Sequence, residues 1–264
     1  MTRMTIGAMR TRLRAECTTR GVNPRDADLL LADLTGRSPA WVMAHDDEPI
    51  DAAAIEALME RRFAGEPLQY IRGRADFFGH EFFVDDRVLI PRPETELLVE
   101  QAIARAPRGG RVIDVGTGSG CIAASIARAR PDLHVFAVDV SAGALAVAKK
   151  NGVTRLAASD LLTSIRGTFD LIVSNPPYIP AVDVESLATE VRDHEPRQAL
   201  TPGPRGTEAI ARIYAQAHGA AVMLEIGFGQ ATAVRGIAEH AGYRIETIIP
   251  DLAGIPRVVV SSAS

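Results

Sequence analysis

The chain has 264 residues, 47% of them hydrophobic and 23% charged, an ordinary balance for a folded chain of one or two domains. Lys and Arg total 29 against 33 Asp and Glu, a net charge of −4. With no basic tail or stripe, this argues against a protein that coats a nucleic-acid duplex. The two cysteines, Cys17 and Cys121, exclude a disulfide scaffold and lack metal-ligand spacing, and no apolar run is long enough to span a bilayer, so a cytoplasmic protein is expected.

The first seventy or so residues read as short helices. Asn23 before Pro24 is a helix-start signal, with Asp26 three residues after the cap. Ala27, Leu30, Leu31 and Leu34 then form a helical stripe that Gly36 can end. Ser38-Pro39 repeats the start signal. Asp51 opens another helix with Ile55, Leu58, Met59 and Phe63 on one face, closed by Gly65. Phe77 and Phe78, a Gly79-His80 turn, then Phe82 to Val84 predict two short strands, and Pro91-Arg92-Pro93 stops any regular element. Beyond Thr95 strands and helices alternate. Strands are expected at 111–115, 133–138, 169–174, 221–226, 244–249 and 257–261, with a further short one just before Asp160. This alternation predicts an α/β sheet with helices on both faces.

Three features carry chemistry. Val112 to Gly120 runs from a strand through Gly116, Gly118 and Gly120 into a helix, where glycines allow a sharp turn and close approach of a ligand. A dinucleotide fingerprint would need its third glycine at Cys121, so this loop suits a smaller nucleoside better than a pyrophosphate. Asp139 ends the next strand, 23 residues after Gly116. It is placed to accept from both ribose hydroxyls, although alone it reads equally as a helix cap with Ser141. Asp160 suits an adenine amino group or a turn. The sharpest feature is Asn175-Pro176-Pro177-Tyr178 after the strand ending at Ser174. Tandem prolines cannot continue a ladder, and they leave carbonyls free as acceptors. With the Asn175 amide and the flat face of Tyr178, the cluster suits a planar NH2 group.

Asn-Pro-Pro-Tyr after this glycine loop resembles the S-adenosylmethionine-dependent amino-methyltransferases. Pro91-Arg92-Pro93-Glu94-Thr95-Glu96, Gln69-Tyr70-Ile71 with Gly73, and Leu224-Glu225-Ile226-Gly227 resemble the HemK/PrmC family of protein-glutamine methyltransferases. The likeness runs from about Asp26 to Arg257. It implies a helical substrate-docking domain over 1–72, a β-hairpin linker over 73–92, and a seven-stranded Rossmann-like methyltransferase domain over 93–264. It implies methyl transfer from S-adenosyl-L-methionine to the glutamine of the Gly-Gly-Gln motif of class-1 peptide chain release factors. On that resemblance Gly116, Thr117, Gly118, Ser119, Gly120, Asp139, Asp160, Leu161 and Asn175 hold the cofactor. Asn175, Pro176, Pro177 and Tyr178 bind the substrate amide, with Asn175, Pro176 and Tyr178 catalytic. A monomer with no metal, no membrane contact and no direct nucleic-acid binding is expected.

The rivals are a methyltransferase for an exocyclic base amine or for a ribosomal-protein glutamine, a dehydrogenase, and an inactive adapter. The six histidines are scattered without a zinc-type pair, and Cys121 reads as small packing rather than a nucleophile.

Overall fold

The computed structural model describes residues 4–264, which divide into two compact units. One runs to Gly73 and also takes in Thr189–His194; the other comprises Arg74–Ala188 and Glu195–Ser264.

The first unit holds α1 (Ile6–Thr19), α2 (Arg25–Thr35), α3 (Pro39–Ala44), α4 (Ala52–Phe63) and α5 (Leu68–Arg72). Ser38 and Asp51 cap α3 and α4 through the Trp41 and Ala54 amides, as their positions predict. The expected Asn23 cap moves by one residue. Its side chain accepts from Arg25 N at 3.0 Å and closes a turn, and the helix starts after Pro24. Met9, Leu13, Leu30, Leu31, Ile55 and Met59 form the apolar centre. Arg62 is buried beside it and donates to Asp26 at 2.7 Å and to Glu190 at 2.6 Å. That second bond brings a segment remote in sequence into the helical unit.

The second unit opens with the antiparallel hairpin β1 (Arg74–Phe77) and β2 (His80–Phe83). It is no free connector, because Phe77 and Phe82 are buried among α6 (Glu96–Arg105) and α7 (Cys121–Ala129). The remaining elements are β3 (Arg111–Val115), β4 (His134–Asp139), α8 (Ala142–Lys150), β5 (Leu156–Ala158), β6 (Leu171–Ser174), α10 (Arg197–Leu200), α11 (Glu208–Gln216), β7 (Ala221–Glu225), α12 (Ala231–His240), β8 (Tyr243–Pro250) and β9 (Pro256–Ala263). The helix α9 (Thr189–His194) lies between β6 and α10 in sequence but belongs to the first unit.

The seven strands run β5-β4-β3-β6-β7-β9-β8, parallel from β5 to β7, with β9 antiparallel to both its neighbours. β6 is buried throughout and β7 nearly so, because α6 and α7 cover one face while α11 and α12 cover the other. The strand expected from Phe169 starts at Leu171 instead. Phe169 lays its ring edge-on against Phe136, and the Asp170 carboxylate accepts from Arg111 N at 2.7 Å at the start of β3. Strand order reverses about β3, which has β4 on one side and β6 on the other. Open α/β sheets bind ligands at that reversal, beyond the carboxyl ends of the strands.

Candidate active site

The turn from β3 into α7 is built on left-handed backbone, with φ of 72° at Gly116, 54° at Gly118 and 80° at Gly120. Gly116 N and Thr117 N both donate to Val138 O, at 2.9 and 3.0 Å, so the loop is tied to the end of β4. A side chain at Gly116 or Gly118 would meet nothing within 4 Å. Their bare backbone faces a cavity of about 250 Å³, walled also by Asp139, Ser159, Asp160, Leu161, Asn175 and Pro177.

The other loop residues hold the turn rather than line it. The Thr117 hydroxyl donates to Asp114 at 2.6 Å, Ser119 O accepts from the Asn151 amide at 2.8 Å, and Gly120 packs on Ala148 and Val153. Asp139 takes one backbone amide on each carboxylate oxygen, Gly118 N and Ser141 N, both at 2.9 Å. Capping and cavity lining therefore coexist in this residue, since each oxygen keeps a second lone-pair site. The exposed Asp160 pairs with Arg212 at 2.6 Å. Leu161 has a φ of 53°, costly for a leucine and typical of a functional turn. Cys121 is buried, and burial pushes its thiol up to about 12, which leaves it inert as a nucleophile.

Asn175 to Tyr178 leave the carboxyl end of β6. Asn175 and Pro177 line the cavity, and Pro176 is buried. The turn is held from several sides. Asn175 Nδ2 donates to Thr95 Oγ1 at 3.0 Å, the Thr95 hydroxyl donates to Glu225 at 2.6 Å, and the Tyr178 hydroxyl donates to Glu225 at 3.3 Å. The Gln230 side-chain amide donates to Tyr178 O at 2.8 Å. Burial and the neighbouring Glu225 charge push the Tyr178 phenol up to about 12. Burial also raises the Glu225 carboxyl, which the Thr95 hydroxyl and the Arg257 charge oppose.

The segment Pro91 to Glu96 now has a physical reading, because its polar side chains join separate parts of the second unit. Arg92 pairs with buried Glu195, Thr95 reaches Glu225, and Glu96 accepts from Phe78 N at 2.8 Å. Sequence reasoning quoted Thr95 and Glu225 only as motif members. It also missed the wall formed by Arg87 to Leu89 and by Gln198 and Ala199, which carries no local signature.

Residues 92–245 match the Methyltransferase small domain family, and residues 9–73 match the PrmC N-terminal domain. The Release factor glutamine methyltransferase of Bordetella pertussis is 42% identical over 255 residues, which span 90% of this chain and 94% of that one. Its counterpart in Geobacter sulfurreducens is 40% identical over 248 residues, spanning 89% and 87%. The chain belongs to the release factor glutamine methyltransferase family. In fold this family member also resembles a methyltransferase from Pyrococcus furiosus, 17% identical, with a TM-score of 0.53 over 80% of this chain and 98% of that one. S-adenosyl-L-methionine is the methyl donor that this fold implies. The site fits it, with two glycines whose open side faces the cavity and a carboxylate with spare acceptor capacity at the end of β4.

Proposed function

We infer that this chain transfers a methyl group from S-adenosyl-L-methionine to the side-chain amide nitrogen of the glutamine in the Gly-Gly-Gln motif of class-1 release factors. The observation that carries this reading is the Asn175 amide. Its NH2 end is committed to Thr95, no hydrogen bond among the described residues engages Oδ1, and the residue lines the cavity.

When bound, the donor supplies a methyl group already made electrophilic by its sulfonium sulfur. Gly116 and Gly118 would hold its methionine and ribose side, Asp139 would accept from the ribose hydroxyls, and Asp160 and Leu161 would hold the adenine. Thr117, Ser119 and Gly120 keep that loop in shape. An amide nitrogen is a weak nucleophile because its lone pair is delocalised into the carbonyl. The chain's task is therefore alignment, together with partial negative charge at the nitrogen's hydrogens. Asn175 Oδ1 and the Pro176 carbonyl accept the two hydrogens. Pro177 shapes the wall, and the Tyr178 ring packs against the amide plane. The helical unit docks the protein substrate, the chain acts as a monomer, and the substrate places it in the cytoplasm. No helix among the described residues is long and apolar enough to cross a membrane.

The test is transfer of labelled methyl to release factor, to a ribosomal protein, to DNA and to no acceptor. Label on the release-factor glutamine alone is expected, and label on DNA or on the ribosomal protein overturns the reading. In the same assay Asn175→Ala should lower kcat by about 10²–10³-fold, the usual loss for one preorganised hydrogen-bonding group, with a smaller change in donor affinity. A wild-type rate in that variant removes Asn175 from the chemistry.

A further inference from the structure

We propose that Thr95 is a positioning residue for methyl transfer: with its own hydrogen given to buried Glu225, which also meets the Tyr178 hydroxyl beneath the Asn-Pro-Pro-Tyr turn, it fixes which end of the Asn175 amide faces the cavity. This rests on the reading that Asn175 receives the NH2 group of a substrate amide.

Glu225 ends β7 and is 1% exposed, and Thr95 is 2% exposed, so water cannot complete their bonding. A hydroxyl has one hydrogen to give. The Thr95 hydrogen goes to Glu225 Oε2 at 2.6 Å, so its oxygen can only accept toward Asn175, and the atom it meets there is Nδ2 at 3.0 Å. Turning the Asn175 amide over would set Oδ1 against that oxygen, acceptor against acceptor. It would also aim NH2 at the substrate's own NH2. The two ends of an asparagine amide have nearly the same shape, so packing alone barely distinguishes them. Ionised Glu225, the form that the Arg257 charge and the Thr95 hydroxyl favour against burial, only accepts and so imposes the difference.

The same carboxylate anchors the far end of the turn. Its Oε1 accepts from the Tyr178 hydroxyl at 3.3 Å, so one side chain orients both the acceptor and the ring of the motif. Residues 95 and 225 are the remote partners that make this possible, each brought there by a different element. The charged groups facing Glu225 are Arg257, which favours its ionised form, and Glu94, which disfavours it. A buried carboxylate is expensive to keep, and here it holds a direction that an apolar residue would not.

The experiment has two arms. In the first, single-turnover methylation of release factor is measured for wild type, Thr95→Val, Thr95→Ser, Asn175→Ala and the Thr95→Val/Asn175→Ala pair. Thr95→Val should slow the step about 10–100-fold, the range for a slightly misplaced reacting group, with donor affinity within about twofold. Thr95→Ser should recover the rate to within about threefold. Adding Thr95→Val to Asn175→Ala should cost less than about threefold more, because Thr95 acts through Asn175. Additive losses, or a serine variant as slow as valine, overturn the proposal. The second arm needs neither substrate nor variant stability. In the wild-type protein, one Asn175 Hδ2 proton should exchange with solvent markedly more slowly than those of the exposed Asn23. Equally fast exchange of both protons overturns the proposal. A wild-type protein that labels no release factor refutes the functional reading instead, and the exchange measurement still decides the amide direction.

Discussion

Asp114 keeps its carboxyl group entirely out of water. It lies near the carboxyl end of β3, fully buried, and burial raises its carboxyl from 3.8 to about 7, against the opposing bond from the Thr117 hydroxyl at 2.6 Å. The nearby charge of Asp139 pushes in the same direction as burial. Between those two pKa values the folded chain keeps a proton that the unfolded chain has lost. Stability from this residue therefore falls as pH rises through the window and is lowest above 7. Asp114→Asn keeps an acceptor for Thr117 and carries no charge. Relative to wild type its unfolding free energy should improve between pH 4 and pH 8 by on the order of 2–4 kcal/mol, at 1.36 kcal/mol per pKa unit. Other titrating groups are common to both proteins and cancel in the difference. Denaturant unfolding at the two pH values checks this, and a gap that does not change with pH would show that Asp114 is ionised in the fold at little cost.

The glycine loop shows how one short connection serves two ends. At Gly116 the left-handed backbone opens onto the cavity, whereas at Gly120 a Cβ would lie 2.8 Å from Val153 Cγ2 and 3.0 Å from the Ala148 backbone. Gly116→Ala should thus cost only the backbone strain, about 1–2 kcal/mol, and show mainly in donor affinity. Gly120→Ala adds overpacking against α8 and should cost about 2–4 kcal/mol. Equal losses in denaturant melts would contradict this division. The loop, the strands on either side and the helical start signals at Ser38 and Asp51 were legible because local pattern dictates them. Runs of Val and Ile mark buried strands, glycines mark positive φ, and Ser or Asp marks a cap. The partnership of Thr95 with Glu225 was not legible, because 130 residues separate them and periodicity says nothing about which loops meet. The Arg62 bond to Glu190 was hidden for the same reason, across 128 residues. Asn23 misled by one position because its side chain serves a turn and a cap equally well.

Across the whole second unit, the exposed large apolar side chains among the described residues are Val140, Val182, Phe228 and Leu252. Each lies on a connection at the carboxyl end of the parallel strands. Val140 follows β4 and lines the cavity, Val182 follows the turn after β6, and Phe228 follows β7 beside Gly227, which approaches the Tyr178 ring. Leu252 sits in the turn from β8 to β9, and Glu225 at the end of β7 pairs with Val258 just beyond that turn. Phe228 and Leu252 are the most exposed of the four, and on the release-factor reading they are the contacts proposed for the intact protein substrate. Phe228 is 80% exposed and Leu252 fully so, and part-burial of two such side chains contributes on the order of 1.5–3 kcal/mol. The Phe228→Ser/Leu252→Ser double variant should therefore raise KM for intact release factor by about 10–100-fold, while kcat holds, because the lost contacts serve ground state and transition state alike. KM for a short peptide carrying Gly-Gly-Gln should stay unchanged, since a peptide that small reaches the cavity without covering the edge. Steady-state kinetics with both substrates distinguish the cases. A matching rise for peptide and protein would place the effect inside the pocket, and an unchanged KM for the protein would leave docking to the helical unit.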